Sequence, residues 1–374
     1  MTDYSYLDNK LDSFQQLLPG ASRVSRWRSF LADAPDDALR RINAYALADS
    51  WRQDGREVLT ELIYATRAGL TTLNWDVVCP GCDTRNRHER LGTVCALQSC
   101  CGCGGSFDVS FDQAVEVTFT IHPGIRALAP STSRPGASAA KPYVTGLDCA
   151  TLPAFREFFG SEILSRNESL QVRDVAILFT DIKGSTMLYN RLGDARAYNA
   201  VRSHFDVLFR TVAENEGAIV KTIGDAVMAC FTRPAQAARA ALAAQDRFTA
   251  FRPLLPDSAE EIIVKIGIHR GPCIAVTLND HLDFFGGAVN VAARTQQRAA
   301  GGETLITRAV YDDPQVRELL TEAGRNVSAI EATLRGFSDR FKLYSIASQR
   351  AKQDDRGARS RFIFIPKALR NLLR

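Results

Sequence analysis

The sequence predicts an α/β (α+β) protein in two parts. A small helical, cysteine-bearing domain comes first, and an α/β sandwich of ferredoxin-like type follows. Three observations carry this reading. From Val172 onward, short apolar strand patterns alternate with helical ones in the order β-α-β-β-α-β, with additions. Upstream, six of the nine cysteines fall between Cys79 and Cys103. Between the two parts, ALAPSTSRPGASAAKP is rich in Ala, Ser and Pro and almost lacks large apolar residues, so 127–150 reads as a linker.

A length of 374 residues allows two or three domains with a sizeable core. Apolar residues make up 45% and charged residues 24%, ordinary for a globular chain, and the net charge of +4 is too weak for a nucleic-acid footprint. No apolar run approaches the roughly 18 residues of a membrane helix. The N-terminus, MTDYSYLDNKLDS, is acidic and polar rather than a secretory signal. These features predict a cytoplasmic protein, in which thiols stay reduced and serve metals or the core rather than disulfides.

The N-terminal domain, residues 1–126, opens with helical patterns. PDDALRRINAYALADSW has acids in its first turn and reads as one helix. GREVLTELIYATRAGL pairs Val58 with Leu62 and Leu59 with Ile63, and Gly69 stops it. NWDVV is a short strand, and SFDVSFDQAVEVTFTI alternates like a hairpin partner. Residues 151–171 form an amphipathic bridge, and 348–374 a basic tail.

In the C-terminal domain, 172–347, RDVAILFTDI is a buried strand followed by a helix over 194–216. KTIGDAVMACF then reads as two strands meeting at Gly224-Asp225. A helix from Pro234 to about Phe251 follows, then IIVKIGIHRG and CIAVTL as two strands. GGAVNVAARTQQRAA is a helix, ETLIT a strand and RFKLYSI the closing strand.

Asp181 stands at the exit of an otherwise uncharged strand, ahead of Lys183-Gly184-Ser185-Thr186. Such a small-residue turn exposes backbone N–H groups at a helix start, a seat for phosphate. Asp181 and Asp225, on strand ends that can lie side by side, would hold Mg²⁺, a hard cation that takes carboxylates together with substrate phosphates. A helix cap and a polar turn residue are the ordinary alternatives for these two.

LFTDIKGST, KTIGDAV, LDFFGGAVNVAAR and LRGF occur in the order and spacing of the class III nucleotidyl cyclases, and the resemblance covers about residues 172–347. It implies conversion of a nucleoside triphosphate to its 3′,5′-cyclic monophosphate and pyrophosphate, at interface sites of a head-to-tail homodimer with two Mg²⁺ (or Mn²⁺) per site. By position, Asp181, Asp225 and the Ile182 backbone carbonyl resemble the metal ligands. Gly184, Ser185 and Thr186 resemble the phosphate turn, and Asn290 and Arg294 the transition-state pair. Lys221 and Asp283 resemble the pair that reads the base. Arg335 stands where the family usually has Lys against the terminal phosphates, a planar fork in place of a point donor.

The base pair points to ATP. Adenine offers an acceptor at N1 and an amino donor at N6, matching Lys and Asp; guanine reverses both. A guanylate cyclase and a non-catalytic, cyclase-like nucleotide-sensing or dimerisation domain are the alternatives. The latter usually lacks a metal Asp or the Asn/Arg pair, and all four residues are kept here.

CPGC (Cys79, Cys82) and CCGCGG (Cys100, Cys103) form two C-x₂-C pairs separated by 17 residues, the spacing of a zinc ribbon around a structural Zn²⁺. Reduced buried thiols and an iron–sulfur cluster are the other readings. Cys95, Cys101 and His88 are not needed as ligands. RVSRWRSF hints at nucleic acid, although no nucleic-acid partner is expected. The basic tail reads as disordered, with a weak contact to anionic membrane or protein as the alternative.

Overall fold

The structure is a computed structural model that describes residues 2–18, 20–129, 142–250 and 262–347. The basic tail and most of the Ala/Ser/Pro stretch lie outside the described residues. The N-terminal part consists of α1 (Tyr4–Leu17), α2 (Ala21–Asp33), α3 (Asp36–Arg40), α4 (Ala44–Trp51) and α5 (Gly55–Ala68), then β1 (Thr71–Val78), β2 (Arg85–His88), β3 (Leu97–Ser99), β4 (Ser106–Asp108) and β5 (Val115–Ile121). Next come β6 (Val144–Thr145), α6 (Gly146–Ala150) and α7 (Pro153–Phe158). The C-terminal part runs β7 (Leu170–Ile182), α8 (Ser185–Leu192), α9 (Asp194–Glu214), β8 (Ala218–Ile223), β9 (Ala226–Phe231), α10 (Pro234–Ala250), β10 (Val264–Leu278), β11 (His281–Phe285), α11 (Gly287–Arg298), β12 (Glu303–Thr307), α12 (Arg308–Tyr311), α13 (Pro314–Glu322), β13 (Val327–Thr333) and β14 (Arg340–Ala347).

Local chemistry sets the helix boundaries. Asp54 accepts from the N–H groups of Arg56 and Glu57 to start α5, and Gly69, at φ 82°, ends it as expected. The segment read as one helix over 35–51 is instead two, α3 and α4. The Asn43 side chain accepts from Tyr45 and Ala46 N–H, so it begins a new helix rather than continuing the old one. Residues 144–150, read as linker, are ordered: β6 pairs with β5, and Thr145 and Asp148 form a capping box that starts α6. Val144 and Leu147 are buried there.

The larger sheet has the order β13-β14-β12-β10-β7-β9-β8, with β11 paired to β10. The two strands read at 262–271 and 273–278 are one strand, β10, because the Gly271-Pro272-Cys273 break is absorbed as a register shift against β7. β11, α13 and β13 carry short or mixed patterns that periodicity did not isolate. Gly267 on β10 permits close packing of α11, since a Cβ there would sit 2.1 Å from the Gln296 nitrogen.

The two faces of β7 are buried differently. Ala176, Leu178 and Ile182 face a cluster that includes Leu208 and Val212 of α9 and Ala241 of α10. Val175, Ile177 and Phe179 face a cluster that continues through Ala288 and Ala292 of α11 into Phe155, Trp75, Leu62 and Leu7. One apolar core therefore joins the N-terminal part to the C-terminal sheet. Within it, buried Glu61 accepts from Arg23 (2.8 Å), Arg26 (3.0 Å) and Trp27 Nε1 (2.8 Å), and Arg28 pairs with Asp8. Arg23, Arg26 and Trp27 of RVSRWRSF thus share one buried carboxylate, while the Arg28–Asp8 pair lies at the surface.

His204 on α9 is fully buried beside Phe205 and Phe248, and burial pushes its pKa down to about 4. Its folded pKa lies below the unfolded value of about 6.5, so the fold keeps full stability above that pH and loses it as pH falls towards 4. This one group is expected to cost up to about 3 kcal/mol by pH 4. Urea unfolding of His204→Leu across pH 4–7 should show a shallower decline than wild type; an equal decline would assign the loss elsewhere.

Candidate active site

Two groups of charged residues lie on the strands of the larger sheet. The first is at the end of β7. Asp181 and Asp225 are close enough that burial, followed by the Asp181 charge, pushes the Asp225 carboxyl upward, while the Ser185 hydroxyl opposes this. The β8–β9 turn, with Gly224 at φ 62°, delivers Asp225 to this corner, where its Oδ2 accepts from the Ile182 N–H at 3.2 Å. The Ile182 peptide is therefore part of the same corner. Gly184 is the N-cap of α8 and supplies no side-chain cap, so Ser185 and Thr186 begin the helix beside the two carboxylates.

Two further residues reach Asp181 that the sequence patterns did not single out. Lys265 Nζ lies 2.9 Å from Asp181 Oδ2, and Gln296 Nε2 donates to the same oxygen at 3.4 Å. Lys265 faces Asp181 because the two are register partners in the β7–β10 ladder. That pairing is a long-range fact which no local motif announces. A cation is thus already drawn to the carboxylates, and the donor set, two close carboxylates and a peptide, suits a hard divalent metal.

The second group is Lys221 with Asp283. The sequence separates them by sixty-two positions, and the structure brings Lys221 Nζ to 2.6 Å from Asp283 Oδ2. Asp283 is 5% exposed, and its Oδ1 accepts from the Phe284 N–H at 2.7 Å. Asn290 and Arg294 lie one turn apart on α11, with Asn290 exposed and Arg294 donating to Gln297 at 2.7 Å. Arg335 is exposed on the β13–β14 connection, whose Leu334 and Phe337 pack in one cluster with Val291 of α11. No described contact joins the Lys221–Asp283 pair to the Asp181–Asp225 pair. Asp181 is the register partner of Lys265, whereas Asp283 is that of Val276, eleven positions further along β10. Through the β8–β9 hairpin the two groups are nearer, since Lys221 is four residues, at most about 14 Å of chain, from Asp225.

The cysteines form a third site. The sulfurs of Cys79, Cys82, Cys100 and Cys103 all lie within 4.8 Å of one another, with Cys79–Cys103 at 3.8 Å and Cys82–Cys100 at 3.4 Å. Four ligands at about 2.3 Å in a tetrahedron would be about 3.8 Å apart. The N–H groups of Cys103 and Gly102 point at Cys100 Sγ and draw its thiol down to about 6, while, against the Gly105 N–H, the Cys82, Cys100 and Cys79 sulfurs push the Cys103 thiol up to about 11. Cys95 and Cys101 are exposed and outside the cluster. His88 is partly buried, its Nδ1 bonded to the Thr93 hydroxyl at 3.0 Å.

Residues 168–346 match the model of the adenylate and guanylate cyclase catalytic domain, and residues 8–146 match that of a family of unknown function (DUF5939). The C-terminal part of the chain therefore belongs to the class III adenylate/guanylate cyclase family. It is 32% identical over 152 residues to an adenylate cyclase of Lachancea kluyveri, covering 36% of this chain and 8% of that protein. It is 28% identical over 150 residues to a receptor-type guanylate cyclase of Caenorhabditis elegans, covering 37% of this chain and 14% of that protein. The chain thus spans a small share of these relatives' length. Among solved structures, an adenylate cyclase from Trypanosoma brucei in its monomeric state aligns with TM-score 0.41 at 24% identity, over 46% of this chain and 89% of that one. No helix among the described residues is long and apolar enough to cross a membrane.

The cysteine geometry generates a direct expectation. Purified protein should carry about one zinc per chain, and Cys79→Ser should lower zinc affinity by at least tenfold. Elemental analysis that finds iron, or no metal after zinc addition, would contradict it.

Proposed function

We propose that this chain is an adenylate cyclase, converting ATP to 3′,5′-cyclic AMP and pyrophosphate at composite sites of a head-to-tail homodimer. The Lys221–Asp283 pair carries the choice of substrate. The ammonium donates to adenine N1 and the carboxylate accepts from the N6 amino group, so the base replaces an ion pair with two matched hydrogen bonds. Guanine would meet each group with one of the same polarity, and mismatched polar sites reject by about 10⁴ in favourable cases.

The rest of the site follows from charge. Asp181, Asp225 and the Ile182 carbonyl would hold two Mg²⁺ or Mn²⁺. When bound, such ions lower the pKa of the ribose 3′-hydroxyl and neutralise the triphosphate. The backbone N–H groups of Gly184, Ser185 and Thr186 cradle phosphate, and Arg335 meets the terminal phosphates. Arg294 faces the α-phosphoryl oxygens, on which charge grows as the 3′-oxygen attacks and pyrophosphate leaves. Asn290 orients the ribose. The motif resemblance assigns Asp181 and Asp225 from one protomer and Lys221, Asp283, Asn290, Arg294 and Arg335 from its partner to each site, so the tip of the β8–β9 hairpin serves one site and its stem the other. The Cys79, Cys82, Cys100 and Cys103 thiolates would hold a structural Zn²⁺ away from the chemistry. With these roles the protein is a signalling enzyme of the cytoplasm.

The test is product identification. The purified chain with Mg²⁺ or Mn²⁺ should convert ATP to cyclic AMP and leave GTP nearly untouched. Lys221→Glu combined with Asp283→Ser should lower the ATP:GTP ratio of kcat/KM by about 10² or more. Cyclic GMP as the wild-type product would replace this reading with a guanylate cyclase, and turnover of neither nucleotide would favour a nucleotide-sensing domain.

A further inference from the structure

The β10–β11 hairpin, which carries Asp283, is gripped from outside the cyclase sheet. Arg156 of α7 donates through Nη1 to the Leu282 carbonyl at 3.1 Å and through Nε to the Ala150 carbonyl at 2.8 Å. Its guanidinium also lies 5.9 Å from the centroid of the Phe284 ring. It therefore touches the residues on both sides of Asp283. Two more contacts from the bridge reach the same hairpin: the Thr277 hydroxyl donates to the Leu164 carbonyl at 2.6 Å, and Arg166 pairs with Asp280 at 2.9 Å.

The bridge is moored in turn on the cysteine-bearing module. Glu162 accepts from the Leu91 N–H at 2.9 Å, and Glu168 accepts from the Ala96 N–H at 2.7 Å. Leu91 and Ala96 lie between the two cysteine pairs in the chain. A cavity of about 390 Å³ opens between Phe155 and Phe159 of the bridge and Lys221 of the sheet, so the bridge forms one wall beside the base-reading pair.

We propose that Arg156 is a positioning residue for base recognition, holding β11 where Asp283 meets Lys221 and thereby tying the base-reading pair to the N-terminal module. This rests on the adenylate cyclase reading above. The carboxylate follows the main chain closely, because Asp283 Oδ1 is bonded to the next residue's N–H. Among the described strands β11 pairs with β10 alone, an edge position at which a contact from outside the sheet has most effect on where the strand sits. Recognition geometry is sensitive to displacements of about 0.5 Å. Asp181 sits at the other end of the β7–β10 ladder, and the contact of Arg156 with the β8–β9 hairpin is to Cys230, five residues beyond Asp225.

The test compares wild type, Arg156→Ala and Arg156→Lys as full-length protein, in two arms. In the kinetic arm, Arg156→Ala should raise KM for ATP and lower the ATP:GTP ratio of kcat/KM, each by about tenfold, with the Mg²⁺ concentration for half-maximal rate unchanged. Arg156→Lys, which keeps one donor for the Leu282 carbonyl, should recover part of the ratio. In the second arm, amide hydrogen exchange over residues 281–285 should quicken in Arg156→Ala. An unchanged ratio in an Arg156→Ala protein that melts like wild type overturns the proposal, as does unchanged exchange. Wild-type protein that turns over neither nucleotide overturns the cyclase reading, and the exchange arm still decides whether Arg156 holds the hairpin.

Discussion

The antiparallel ladder between β7 and β10 is the constraint on which the rest of the molecule depends. It runs from Ile182 opposite Val264 to Leu170 opposite Ala275, and from Val175 to Thr180 β7 is buried on both faces. Strands buried on both faces cannot slip, because a shift of one residue would turn every side chain to the wrong layer. The fixed register places Lys265 against Asp181 at one end and sets the start of the β10–β11 hairpin at the other. Asp181 and Asp283 inherit their positions from this ladder and its hairpin, and Lys221 and Asp225 come with the β8–β9 hairpin that pairs with β7.

The same ladder explains why the N-terminal part is not a loosely tethered neighbour. One face is closed by α9 and α10, which belong to the C-terminal domain. The other is closed by α11 together with residues as distant as Leu7 and Trp75. Removing the N-terminal part would expose that apolar face to water at roughly 25 cal/mol per Å². The polar contacts across the junction, from Arg156, Leu164 and Glu162, then give the shared core a defined geometry.

Much of this was legible in the sequence where the signal was local. Gly224-Asp225, the Asp181 strand exit and the NVAAR helix are each read from a few adjacent residues, and the structure places them on the elements expected. The two C-x₂-C pairs also converge, because a knuckle is a local turn. What escaped was non-local or interrupted. Lys265 and Gln296 are ordinary residues until strand register and the Gly267 contact bring them to Asp181. The Gly-Pro break hid the continuity of β10, because a bulge and a strand end look alike without the partner strand. Asn43 split a helix that periodicity had joined. Val144 and Leu147 are too few apolar residues to announce that 144–150 belongs to the core.

The central claim is that no single chain completes a catalytic site. In the proposed dimer Asp181 serves one site and Arg294 of the same chain the other. Mixing inactive Asp181→Ala protein with inactive Arg294→Ala protein measures this directly. In a mixed dimer one site carries both lesions and the other carries none, so random subunit exchange should restore about a quarter of wild-type cyclic AMP formation. A mixture that stays inactive, while mass measurement shows that mixed dimers have formed, would contradict the account.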